Sequence, residues 1–190
     1  MNRLIPILCL IFLSTSGYSQ IKFEKEERIK KNEAPTNAIL FVDSMKLQSR
    51  IKWFKEIGYN KISFEVKTKI NGKKYSIEFS EDGTFEDVEV EIRKEDIPQV
   101  AFNKITDYLL KTHTKYDIDK VQIQYSGDTS LISDFIATEV DKNGLIINYE
   151  IVIITKVDGT FYSYEYLFDK NGEFIRKSKI QLRMTNNIEF

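Results

Sequence analysis

The sequence predicts an α+β fold in which two tandem helix-plus-four-strand units contribute to an antiparallel sheet with helices packed on one face. Three observations predict it: a strand meander over residues 61 to 92, two helices that each begin at a proline, and the recurrence of the same element order in both halves. In the meander, Ile62, Phe64, Val66, Thr68 and Ile70 alternate with Ser63, Glu65, Lys67 and Lys69, a period of two that places one face on a core and the other in water. Asn71-Gly72 supplies the positive φ values a type I′ turn requires, and Glu81-Asp82-Gly83 makes the second turn. Tyr75, Ile77 and Phe79 continue the apolar face, and Val88, Val90 and Ile92 extend it after that turn.

The remaining elements follow in chain order. Residues 1 to 19 carry Arg3, an apolar run from Leu4 to Leu13 and small residues Gly17 and Ser19 at positions −3 and −1, the pattern of a signal peptide cleaved before Gln20. The apolar run is too short for a membrane anchor, which needs about 18 residues. No stable membrane insertion is expected after cleavage. Cys9, the only cysteine, leaves with the signal, so neither a disulfide nor a thiolate metal site is expected. Residues 20 to 33 form a charged arm or edge strand. Pro35 opens a helix to about Leu47, and Arg50 to Ile57 reads as the first strand of the unit spanning 34 to 93.

The second unit, 94 to 183, opens with Pro98 and a helix to about residue 112, followed by a strand at Val121 to Tyr125. Residues 129 to 142 are an insertion, a short helical turn or a strand. Strands at 145 to 157, 160 to 168 and 173 to 182 complete the unit, and residues 184 to 190 are expected to fray. Self-similarity ties the halves together: RIKKNEAPTNAILFV resembles VEIRKEDIPQVAFNKI, and YSIEFSEDGTF matches YEYLFDKNGEF, pairing Phe79 with Phe168 and Gly83 with Gly172.

The proline-led helix and the strand meander closing on EFSEDGTFEDVEVEI and YLFDKNGEFI resemble the PepSY-like family of secreted bacterial proteins. The resemblance implies an architecture similar to the β-lactamase inhibitor protein, whose open sheet face takes a partner. It implies no catalytic residues, and suggests a role in peptidase inhibition or ligand binding in the envelope.

With 28 basic and 29 acidic residues the formal charge is −1, which gives no net attraction to nucleic acid. His113, the only histidine, reads as a cation at a helix C-terminus or as a solvated loop residue. One histidine and no mature cysteine rule out a His/Cys metal constellation, and no nucleophile and base pair is evident; no enzyme activity, cofactor or metal is expected. The turns at Asp141 and Asp169 place glycine at position four rather than six and carry Val152 and Ile180 where a calcium loop has glutamate. They read as hairpin turns. The acidic run from Glu81 to Asp96 reads as the wet side of a strand, because Glu89 and Glu91 alternate with valines.

Trp53 and Phe54 fall on opposite parities, so one is core and the other exposed. Gln122, Gln124, Phe161, Glu165, Lys177 and Lys179 fall on the parity away from the expected core, and with Trp53 they are the candidate partner-binding residues. The expected function is an exported, periplasmic or extracellular, non-enzymatic binding module. It would be an inhibitor or regulator of an envelope peptidase or other enzyme, acting through an open sheet face on an envelope protein or peptide. The alternative is a carrier of a small apolar ligand, which would need a closed apolar cavity above about 300 Å³.

Overall fold

The computed structural model describes residues 20–22, 25–58, 61–140 and 143–181. Residues 1 to 19, expected from the sequence to be a signal peptide, and the tail after residue 181 lie outside the described residues. Among the described residues ten strands form one sheet: β1 (Gln20–Lys22), β2 (Lys25–Ile29), β3 (Lys52–Ile57), β4 (Ile62–Ile70), β5 (Lys73–Ser80), β6 (Phe85–Glu91), β7 (Tyr116–Ser126), β8 (Ile146–Val157), β9 (Thr160–Asp169) and β10 (Phe174–Ile180). Their order is β1-β10-β9-β8-β7-β6-β5-β4-β3-β2. From β2 to β10 every neighbouring pair is antiparallel, and β1 joins β10 in parallel.

The helices α1 (Thr36–Ser44), α2 (Gln99–Thr112) and α3 (Thr129–Thr138) pack on one face. α1 leads into β3 to β6; α2 leads into β7 to β10, with α3 between β7 and β8. Each of the first two helices starts at a proline, Pro35 or Pro98, whose missing N–H would have no intrahelical partner. A 3-10 turn precedes each, Lys31–Glu33 and Lys94–Asp96. In both, a backbone N–H donates to the carboxylate three residues on: Lys30 to Glu33 at 2.6 Å, and Arg93 to Asp96 at 3.1 Å. The expected insertion is helical over its first ten residues: Asp128 accepts from the Ser130 N–H at 2.8 Å as N-cap, and Glu139, at φ 53°, ends the helix.

The core has two parts, both on the helix side. Ala38 and Val42 of α1 pack with Phe64, Val66 and Phe79, with Ile132 and Phe135 of α3 in the same cluster; Ala101, Ile105 and Leu109 of α2 cover Ile151, Tyr166 and Phe168. Two turns let the helices approach closely. A Cβ on Gly83 would lie 2.7 Å from Pro35 Cβ and 3.0 Å from the Ala38 nitrogen; one on Gly172 would lie 2.4 Å from the Ala101 carbonyl oxygen. Only glycine fits either place, and both sit at positive φ, 82° and 81°.

Trp53 belongs to this core, 4% exposed, with its ring 6.4 Å from that of Phe79. The expectation that it is an exposed anchor is therefore corrected; Phe54 takes the opposite face, half-buried, with the Lys67 ammonium 4.9 Å from its ring centre. His113 is also corrected. It is 8% exposed, its Nε2 lies 2.6 Å from the Tyr166 hydroxyl, and its ring packs edge-on to Tyr166.

β1 and β2 stand at opposite ends of the strand order, yet only two residues separate them in the chain. Three Cα steps of about 3.8 Å keep Lys22 and Lys25 within about 11 Å. The sheet therefore rolls until its two edges approach. The face away from the helices lies inside the roll, because residues from β2 through β8 line one recess of about 760 Å³ on that side.

Candidate functional site

The inner face is built by the polar half of each strand's alternation. Cross-strand register sets its side chains in rows. Glu65, Glu78 and Asp87 are direct neighbours across β4, β5 and β6. Ser76, Glu89, Gln124 and Asn148 form the next row, and Glu91, Gln122 and Glu150 the one after. On a flat sheet these groups would face water, but inside the roll Glu65, Glu89, Gln122, Gln124, Asn148, Glu150 and Glu165 are all buried. Glu89, read from sequence as the wet side of a strand, thus lines the recess, and Asp87 lies on the same face of β6.

Side-chain amides hold the carboxylates in place. Gln122 Nε2 donates to Glu89 at 2.8 Å, Gln124 Nε2 to Asp87 at 3.1 Å, and Asn148 Nδ2 to the Gln124 carbonyl oxygen at 3.2 Å. Ser76 donates its hydroxyl to Glu65. Lysines ring the mouth: Lys67 pairs with Glu65 at 3.0 Å and with Glu26, and Lys74 pairs with Glu91 at 2.8 Å. Burial pushes the Asp87 carboxyl up to about 7, reinforced by the charges of Glu150 and Glu86 and opposed by Arg176 and Lys61. The Lys67 ammonium, although burial disfavours its charge, is held above the usual lysine range by Glu65 and Glu26. Seven glutamates and six basic side chains line the recess together with Phe54 and Tyr75, so it presents both charges and some aromatic surface.

Of the residues expected to bind a partner, Gln122, Gln124 and Glu165 meet on this inner face, as buried groups rather than an open surface. Phe161 is 64% exposed at the end of β9, with the Lys156 ammonium 5.2 Å from its ring centre. Lys177 and Lys179 lie on the helix side, a correction with a clear cause. The register of β10 against β9 shifts between Phe174 and Arg176, a bulge that moves each later side chain to the other face. Lys177 consequently sits 4.0 Å from the Tyr164 ring centre and Lys179 4.3 Å from that of Tyr162, while Arg176 and Ser178 turn inward, opposite Leu167 and Glu165. The acidic pair Asp87 and Glu89 is what sequence reasoning passed over; their alternation with valines was visible, but the closing of the sheet over them was not.

No family model matches the chain, the PepSY-like family included, and no curated protein matches its sequence. Among solved structures it is similar to a DUF2874 family protein from Bacteroides ovatus, at 11% identity and TM-score 0.48, over 77% of this chain and 87% of that one. A putative periplasmic protein from Bacteroides eggerthii is similar at 13% identity and TM-score 0.47, over 77% of this chain and 88% of that one. A BLIP-like protein from Bacteroides fragilis is similar at 13% identity and TM-score 0.45, over 82% of this chain and 91% of that one. Among the described residues, no helix is long and apolar enough to cross a membrane.

Proposed function

We propose that the chain is an exported, non-catalytic binding module that engages an envelope protein or peptide at the mouth of the rolled sheet. The observation that carries this reading is the recess of about 760 Å³, braced by an amide network, on a sheet face whose parity the exposed aromatic Phe161 shares at the end of β9. An exposed aromatic beside a charged rim is the arrangement in which one side chain supplies binding energy and the charges supply orientation. The N-terminal pattern of Arg3, apolar run and Gly17/Ser19 supports export. Inhibition of an envelope peptidase is one form such binding would take. A carrier of an apolar molecule is not favoured, because the recess is lined with Glu65, Lys67, Glu89 and Glu150 rather than with aliphatic groups.

The architecture supports a second element of this reading, that residues 34 to 93 and 94 to 183 are copies of one unit. In its favour are the paired 3-10 turns, the paired prolines, and the two glycines that meet the first turn of α1 and of α2.

The test is recovery of envelope proteins on the immobilised chain. Phe161→Ala, at the exposed end of β9, and Lys74→Glu, at the recess, should each lose a band that Leu110→Asp, on the outer side of α2, retains. Loss with Leu110→Asp alone, or equal recovery by all three, would refute the reading.

A further inference from the structure

We propose that the recess takes an acidic segment of the partner, an extended stretch of chain with aspartate or glutamate at two alternate positions. This names the chemistry of the partner and so rests on the binding reading above. Six basic side chains line the recess: Arg50, Lys52, Lys67, Lys69, Lys74 and Lys120. Among the described residues, ion pairs engage only two of them, Lys67 with Glu65 and Glu26, and Lys74 with Glu91. The other four are exposed and enter no ion pair there. The strand register adds a second, independent observation. Lys52 stands directly opposite Lys67 across β3 and β4, and Lys69 directly opposite Lys74 across β4 and β5. Like charges facing each other across a ladder are destabilising, and an anion placed between them turns each repulsion into attraction.

The spacing sets the form of the anion. Lys67 and Lys69 are alternate residues of β4, on one face and about 6.6 Å apart along the strand. Side chains at i and i+2 of an extended peptide have the same separation and the same direction, so two carboxylates can meet both lysine pairs at once. Glu65, Glu26 and Glu91 are already neutralised by Lys67 and Lys74, which leaves Lys52 and Lys69 to the occupant. The recess is concave, and at about 760 Å³ it has the size of a site for a few side chains, which a flat anionic membrane would not enter. Glu78, Glu89 and Glu150 share its lining. They repel the uniformly charged backbone of a nucleic acid, whereas a peptide brings backbone N–H groups that carboxylates accept.

The test is fluorescence anisotropy with labelled peptides of one length, carrying glutamate, glutamine or lysine at two alternate positions, titrated with the purified chain at low salt. The glutamate peptide should bind at least about fivefold more tightly than the glutamine peptide, and the lysine peptide least. Lys52→Gln combined with Lys69→Gln should abolish that preference, and Lys111→Gln, in the last turn of α2, should keep it. Without peptide, the double variant is relieved of both repulsions and should gain about 1 to 3 °C in thermal midpoint, which a damaged fold would not. Absence of binding, equal binding of the glutamate and glutamine peptides, or tighter binding of the lysine peptide would overturn the proposal. So would binding to phosphatidylglycerol vesicles or to an oligonucleotide without binding to the glutamate peptide. An envelope band that the double variant recovers as the parent does, while Phe161→Ala loses it, would overturn this proposal and leave the binding reading standing.

Discussion

Replacing Gly172 by alanine puts a methyl group where α2 meets the β9–β10 turn. The new Cβ would sit 2.4 Å from the Ala101 carbonyl oxygen and 3.0 Å from its carbonyl carbon and its Cα, all backbone atoms that cannot rotate away. Ordinary contact begins about 1 Å further out, so the turn or the helix must shift, a form of overpacking that costs about 1 to 3 kcal/mol. The left-handed φ of 81° adds about 1 kcal/mol for any residue with a Cβ. The sum is about 2 to 4 kcal/mol. Gly159 is the internal control: it has the same φ, 82°, but nothing within 4 Å of the added carbon, so Gly159→Ala should cost only the conformational part, about 1 kcal/mol. Urea unfolding of both variants, with unchanged slope against denaturant, gives the two differences directly. Equal losses, within about 0.5 kcal/mol, would mean that α2 does not rest on this turn and that the packing described for the second core is wrong.

Three further outcomes are expected. Phe79→Ala and Phe168→Ala, each emptying a fully buried site, should cost about 3 to 5 kcal/mol in the same assay, and a loss under about 1 kcal/mol at both would contradict the assigned inner and outer faces. Asp87 has a folded pKa near 7 against 3.8 in the unfolded chain, so the folded state binds the extra proton between those values. Stability should therefore fall as pH rises from 4 to 7, and Asp87→Asn should flatten that slope and exceed the parent at pH 8; urea midpoints at pH 5 and pH 8 decide it. His113 is shifted the other way, below 6.5, by burial and by Lys177. Its contribution is present above the unfolded value and is lost as pH falls through the folded one, so His113→Gln should reduce the loss of stability on acidification below 6.5.

Much of the fold was legible because its signals are local. Asn71 and Gly72 take φ values of 49° and 84°, the type I′ turn their identities require, and the alternation from Ile62 to Ile70 falls on the faces it implies. The proline-led helices begin where the prolines stand. The failures concern information carried across the chain. Trp53 and Phe54 have equal claims to the core until α1 and Phe79 choose between them. The bulge in β10 reverses Lys177 and Lys179 with no glycine or proline at the shift to announce it. His113 is buried by Tyr166, fifty-three positions away. Above all, the rolling of the sheet depends on β1 and β2 reaching opposite edges, and no window of sequence records it. That one long-range feature converts a wet face into a recess and a run of acids into a candidate site.

The central claim, that the chain binds through the mouth of the rolled sheet and not through its helices, is tested most directly by site-specific photo-crosslinking in the cell envelope. A photoreactive residue would be placed at Phe161, at the end of β9, or at Leu110 on the outer side of α2, both more than half exposed. The account predicts one discrete crosslinked species from position 161, suppressed by Lys74→Glu, and none from position 110. A discrete species from position 110 alone, or crosslinking from position 161 that is indifferent to Lys74→Glu, would contradict it.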